Sequence, residues 1–320
     1  MKNGITGIER NIKVRRVSAL AVTAATAGSV LATGTLVGPA QALAPSLTAP
    51  AAPSVPAAAP KGPTVTARGA FLMNAGTGKT LYAKAADTRL PTGSTTKIMT
   101  AKVVLASKGL NLNAKVTVQK AYSDYIVRNG ASSARLIVGD RVTVRQLLYG
   151  LMLPSGCDAA YALADTFGSG RTRDARVKSF IGKMNATARS LGLKNTHFDS
   201  FDGAGGRGNY STARDLTRLA VSAMKNATFR QVVATKSTKQ RTLTRSGGSR
   251  NMSWTNTNPL LTSYRGTLGI KTGSGPNARY CLVFATKRGS KTLYGTVLSS
   301  SSDVNRAKDA GKLLNHGFSR

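Results

Sequence analysis

Acidic side chains are scarce in this 320-residue chain: 12 Asp plus Glu stand against 46 Lys plus Arg, a formal net charge of +34. Glu9 is the only glutamate, and it lies in a leader-like segment. A folded unit beyond it has only aspartates for carboxylate chemistry. That excludes a Glu-based glycosidase, a metalloprotease and any glutamate-assisted hydrolase. Two cysteines and two histidines exclude a Cys₄ zinc site and a multi-disulfide scaffold. Aromatic residues are 6 % of the chain, with no basic-plus-aromatic ladder of the kind that stacks single-stranded bases, so nucleic acid is not an expected partner. The 41 % of hydrophobic residues is enough for a core.

The first residues are basic (Lys2, Arg10, Lys13, Arg15, Arg16), and an uncharged small-residue run follows from Val17 to Val37. Pro39-Ala-Gln-Ala-Leu-Ala44 then offers A-x-A exits at Ala42 and Ala44. This order describes a secretory signal over residues 1–44 better than an uncleaved membrane anchor. Arg15-Arg16 invites a twin-arginine reading, which Val17-Ser18-Ala19-Leu20 fits poorly. Residues 45–63 are Ala, Pro and Ser with little else and read as an extended tether. The folded unit is residues 64–320, and the chain is expected to be secreted and monomeric. Without the leader and tether, which hold six basic residues and Glu9, the charge is near +29. Outside the cytoplasm such a field favours anionic wall polymers or a lipid surface; a cationic solvated surface is the plainer alternative.

Within the unit, Thr64 to Met73 reads as a strand, Asn74-Ala-Gly-Thr-Gly78 as a turn and Thr80 to Ala83 as the returning strand. The far end repeats this pattern: Leu268 to Thr272, a turn at Gly273-Ser-Gly-Pro-Asn277, Arg279 to Thr286, then Lys291 to Leu298. A helix capped by Ser302 closes the chain. Between these ends the spacing is mainly helical. Ser94 to Ser107 places Ile98, Ala101, Val104 and Leu105 on one face, and Thr143-x-x-Gln146 is a capping box for a helix that Pro154 stops. Cys157 to Phe167 and Thr212 to Lys225 are further helices. The expectation is an α+β fold: an antiparallel sheet assembled from both chain ends, plus a helical lobe.

Gly78-Lys79-Thr80 resembles the end of a phosphate-binding loop, but Met73 stands where that loop needs glycine and a strand follows, so it is a hairpin turn. His197 and His316 are isolated and read as surface or capping residues. Ser94-Thr-Thr-Lys97 puts a hydroxyl and an amine on one helical face, where a partly desolvated lysine can serve as base for the serine. Ser155-Gly-Cys157 lies between two helices, with a Ser155-x-x-Asp158 capping box as its plain reading. Lys271-Thr-Gly273 lies on a strand, with an edge-strand lysine as the alternative.

Together and in this order, the three motifs resemble those of penicillin-binding DD-peptidases and serine β-lactamases. Ala83 to Thr100, Leu153 to Ala160, Tyr210 to Leu216 and Gly269 to Gly273 are similar to the low-molecular-weight D-alanyl-D-alanine carboxypeptidases. Cys157, where asparagine is usual, resembles the Ser-Gly-Cys DD-transpeptidases. Many relatives add a C-terminal β-domain and a membrane anchor; this chain ends with the helix and is expected to have neither. The resemblance implies a five-stranded antiparallel sheet flanked by helices and an all-helical lobe, with the cleft between them. It implies Ser94 as nucleophile, Lys97 as its base, and Ser155 with Lys271 as the proton relay. Backbone N–H groups of Ser94 and Ser274 would form the oxyanion hole. Cys157, Lys271, Thr272, Gly273 and Ser274 would hold substrate. The implied substrates are peptidoglycan stem peptides ending in D-Ala-D-Ala, with β-lactams as acylating inhibitors and no cofactor or metal. The alternatives are a serine β-lactamase, a non-catalytic cationic wall-binding protein and, for the thiols, a Cys157–Cys281 disulfide.

Overall fold

The computed structural model describes residues 62–204 and 208–320. The expected signal (1–44) and most of the tether lie outside the described residues.

Strand β1 (Gly69–Asn74) turns back into β2 (Thr80–Lys84). The Asn74 side-chain oxygen accepts the Gly76 N–H at 2.9 Å. That closes the hairpin and accounts for Gly78-Lys79-Thr80. From the other end of the chain come β7 (Thr267–Gly275), β8 (Arg279–Arg288) and β9 (Lys291–Ser300). All pair antiparallel in the order β2-β1-β9-β8-β7. Strand β7 runs past the expected turn at Gly273, and the chain reverses over Pro276 to Ala278.

Side chains alternate between the two faces of a strand, and β8 shows the consequence. Leu282 and Phe284 join Leu72, Leu293 and Val297 beneath Ala310, Leu313 and Leu314 of α9 (Asp303–Phe318). Cys281, Val283 and Ala285 face the opposite core with Phe71, Ile98, Met99 and Leu216. Helix α1 (Lys97–Leu105) is central: Ile98, Met99, Thr100 and Val104 are fully buried. Around it lie α2 (Lys120–Asn129), α3 (Val144–Met152), α4 (Cys157–Phe167), α5 (Arg173–Ser190), α6 (Ala213–Ala223) and α7 (Ala227–Ala234). The Thr143 capping box forms in both directions, and Thr212 caps α6 through the Asp215 N–H.

This region is not all-helical. It carries a second sheet, β3 (Lys115–Thr117), β4 (Arg141–Thr143), β5 (Ser237–Leu243) and β6 (Ser249–Thr255), in that order. Two of these strands are three residues long, too short to show a period of two. The other two are largely polar, with Thr242, Met252 and Trp254 turned inward. Among the described residues no helix is long and apolar enough to cross a membrane.

Asp309 ties the two chain ends together. Its buried carboxylate accepts from Thr66 N (2.9 Å), Thr66 Oγ1 (2.7 Å), Ala67 N (3.0 Å) and Ser300 Oγ (2.8 Å). Asp309→Ala leaves these donors unpaired and is expected to cost about 3 kcal/mol in urea unfolding. Asp124→Ala, which breaks an exposed ion pair with Lys120, should stay within about 0.5 kcal/mol.

Candidate active site

The residues before α1 form a 3₁₀ turn, Gly93–Thr96. In that geometry side chains three apart eclipse one another, which brings the Lys97 amine over the Ser94 hydroxyl. Lys97 Nζ lies 2.8 Å from Ser94 Oγ, and it also donates to Cys157 Sγ (3.2 Å) and the Asp202 carbonyl (3.0 Å). Those three acceptors match the three N–H bonds of an ammonium. Lys97 is fully buried, whereas Ser94 is half-exposed to the cleft.

Ser155 follows the end of α3 in the left-handed region, at φ 65°. That is uncommon for a residue with a Cβ and costs about 1 kcal/mol or more. Ser132 clamps it: its hydroxyl donates to the Ser155 carbonyl at 2.6 Å, and its own carbonyl accepts the Cys157 N–H at 2.8 Å. The Ser155–Asp158 capping box does not form. Gly156 is the N-cap, and Asp158 instead accepts from Ala134 N, Leu136 N and Ser133 Oγ. The Ser155 hydroxyl is left buried without a hydrogen-bond partner among the described residues.

Both cysteines are free thiols, so the disulfide alternative is not realised. Cys157 faces Lys97, while Cys281 packs in the core with its sulfur 3.3 Å from the Ala278 carbonyl. Burial pushes the Cys157 thiol pKa up; Lys97 opposes this and the Asp202 charge adds to it. Burial also raises Cys281, to about 11.

Strand β7 forms the opposite wall, and two glycines allow the close fit. A Cβ on Gly93 would lie 3.0 Å from the Ser274 carbonyl oxygen, and one on Gly273 would lie 2.8 Å from the Thr92 oxygen. The Gly93–Thr96 turn and the strand therefore pack backbone to backbone. Lys271 is buried, and its amine has no hydrogen-bond partner among the described residues. Burial first, then Lys97 and Arg306, holds its pKa well below the ordinary lysine range. Thr272 Oγ1 shares a 2.6 Å hydrogen bond with Thr257 Oγ1, and Ser274 is exposed.

A cleft of about 1120 Å³ brings Ser94, Ser155, Cys157, Thr272, Gly273 and Ser274 to one surface. Lys97 and Lys271 stand buried behind it. Among the described residues no carboxylate lines the cleft, and the charged side chains that do are Arg68 and Arg306.

The family model for D-alanyl-D-alanine carboxypeptidase (peptidase S11) matches residues 56–302. The chain belongs to this family. It is 61 % identical, over 95 % of its length and 99 % of the relative's, to a D-alanyl-D-alanine carboxypeptidase of Streptomyces sp. strain K15. The crystal structure of the Streptomyces K15 DD-transpeptidase superposes with a TM-score of 0.80 at 68 % identity, covering 81 % of this chain and 99 % of that one. A Bacillus subtilis D-alanyl-D-alanine carboxypeptidase is 33 % identical over 79 % of this chain, which spans 62 % of that relative's length. The five-stranded sheet, the flanking helices and the family assignment agree with the reading of the motifs.

Several residues of the DD-peptidase site gave no sequence signal. Asp202 acts through its backbone carbonyl, which any residue could supply. Its carboxylate is engaged by Tyr125 Oη (2.9 Å) and the Ala204 N–H (2.9 Å). Ser132 reaches the site from a loop. Arg306 comes from α9, where its Nη1 donates to the Gly273 carbonyl at 3.3 Å.

Thiol titration of unreduced, denatured DD-peptidase should return two free thiols, and zero would contradict the structure. In the native protein, maleimide should label Cys157 slowly at neutral pH, because its raised pKa keeps it protonated. The rate should climb with pH above the ordinary cysteine range, while Cys281 stays silent until unfolding.

Proposed function

We propose that this family member is a serine DD-peptidase that acylates itself on Ser94 with peptidoglycan stem peptides ending in D-Ala-D-Ala. The acyl group then passes to water or to an amine. One observation carries the reading: a fully buried lysine amine lies 2.8 Å from the hydroxyl of a cleft serine and is held there by two further acceptors. In its neutral form that amine keeps two N–H bonds, to Cys157 Sγ and the Asp202 carbonyl, and turns its lone pair to the Ser94 O–H. Ser94 Oγ attacks the penultimate D-Ala carbonyl, Lys97 takes its proton, and the C–N bond to the terminal D-Ala breaks. Ser155, backed by Lys271, delivers a proton to the leaving nitrogen.

Backbone N–H groups of Ser94 and Ser274 would receive the oxyanion, each donor contributing about 3 kcal/mol by analogy with measured cases. The substrate carboxylate would meet Thr272, Ser274 and Lys271, with Gly273 letting the strand come close and Cys157 bordering the amide. An incoming carboxylate also offsets the mutual repulsion of Lys271, Lys97 and Arg306. Penicillin would acylate Ser94 in the same way. A β-lactamase reading lacks its deacylating base: no glutamate lies beyond Glu9, no carboxylate lines the cleft among the described residues, and that of Asp202 is already engaged. A purely wall-binding role would not require a buried lysine aimed at a serine.

The leader and the family's substrate support an extracytoplasmic location, with the cationic surface resting on anionic wall polymers. N-terminal sequencing of the mature protein should begin near Leu43 or Pro45; an intact Met1 chain in the membrane fraction would favour an anchor. Ser94→Ala should abolish labelling by fluorescent penicillin with a thermal melt close to wild type. Residual covalent labelling would refute the nucleophile. Lys97→Ala should lose several orders of magnitude in acylation, on the order of a missing general base, and Lys97→Arg should not restore it, because a guanidinium stays protonated. Penicillin pre-acylation should protect Cys157 from maleimide.

A further inference from the structure

We propose that Arg68 forms a second carboxylate subsite at the outer end of the cleft, selecting amine acceptors that carry a carboxylate a residue or two beyond the attacking nitrogen. The inference rests on the acyl-transfer reading above and names the acceptor class. The two charged residues lining the cleft among the described residues are differently engaged. Arg306 is buried, donates to the Gly273 carbonyl at 3.3 Å and forms an ion pair with Asp303. Arg68 is exposed, and its guanidinium makes no hydrogen bond or ion pair among the described residues, so its charge is unspent.

The sheet fixes where Arg68 stands. Gly275 pairs with Arg279, Tyr280 with Ser300, and Gly69 with Leu298, while the Arg68 N–H donates to the Leu298 carbonyl at 2.9 Å. The end of β7 and the start of β1 therefore lie at the same end of the sheet, three strand spacings or roughly 14 Å apart at the backbone. Arg306 joins the cleft near the end of β7, beside Gly273.

After the first D-Ala leaves, the acceptor enters from this side. Its uncharged nitrogen attacks the acyl carbon, a C–N bond forms, and the C–Oγ bond to Ser94 breaks. The nitrogen loses one proton and Ser94 Oγ regains one. A single amino acid places its carboxylate where the departing D-Ala had its own, near Thr272 and Arg306. Each further residue carries the carboxylate about 3.5 Å outward, toward Arg68. Among the described residues no acidic side chain lines the cleft to compete for that guanidinium or draw an ammonium to it.

The test uses a D-Ala-D-Ala donor peptide and two acceptor pairs, glycine with glycinamide and triglycine with triglycinamide, with products quantified by mass spectrometry. Arg68→Gln alters an exposed side chain, and a thermal melt checks its fold. It should cut the preference for triglycine over triglycinamide about tenfold, the scale of one lost charge-assisted contact. The preference for glycine over glycinamide should not move, and Arg68→Lys should restore part of the triglycine preference. An unchanged triglycine preference, equal losses in both pairs, or no transfer to any amine would overturn the subsite. D-Ala release by the wild type without acceptor tests the underlying reaction separately. If release occurs and the ratios stay flat, only the Arg68 subsite fails; if it does not occur, the acyl-transfer reading itself fails.

Discussion

The site depends on one buried amine. Lys97 is fully sealed from solvent, and its three contacts come from a 3₁₀ turn, the first residue of α4 and a loop more than a hundred residues downstream. A lysine head group buried without partners would be among the most expensive features a core can hold, so each contact is a condition of the fold as well as of the chemistry. The same condition explains the glycines on either side of the nucleophile turn. Only backbone packed on backbone brings β7 close enough to close the cavity around α1 and still leave Ser94 half-exposed.

Sealing that amine collects like charge. Lys97, Lys271 and Arg306 converge with little anionic relief: the Asp202 carboxylate is engaged by Tyr125, and Asp303 pairs with Arg306 at the surface. The result is a cleft in which Lys271 is poorly disposed to hold its proton until an anion arrives. On the proposed mechanism a substrate ending in a carboxylate would supply that anion, making recognition of the chain end and protonation of the relay one event. Cys157 adds no charge of its own, since burial keeps its thiol protonated.

Much of this was legible because caps and motifs are local. Thr143 and Thr212 cap their helices as the sequence spacing implies, and Ser94-x-x-Lys97 becomes a contact because any helical turn stacks positions three apart. The strands at both chain ends announced themselves through apolar runs flanked by glycine turns. Other features were hidden for physical reasons. Strands β3 and β4 are too short to carry a period, and β5 shows mostly polar side chains because one of its faces is exposed. The Asp202 carbonyl has no side-chain signature at all. Ser155-x-x-Asp158 satisfied the capping pattern, yet the carboxylate found three donors in the loop from Ser133 to Leu136, and the serine was released from that duty.

That release connects to the distribution of strain. Among the described residues, three buried side-chain polar atoms in or against this cleft, Ser155 Oγ, Lys271 Nζ and Arg306 Nε, have no hydrogen-bond partner. Ser155 adds a left-handed backbone. Each orphan costs about 1–3 kcal/mol in a folded protein, and Ser132 and Asp158 supply the hydrogen bonds that hold the strained loop regardless. A fold optimised for stability alone would have used the Ser155 hydroxyl as a cap and given the Lys271 amine a carboxylate. Leaving one unsatisfied in the cleft wall and the other just behind it makes sense when the missing partners belong to the substrate. On the proposed mechanism a leaving nitrogen would take a proton from Ser155, and a terminal carboxylate would meet Lys271. Binding would then supply both partners at once, through groups that only the correct peptide end presents together.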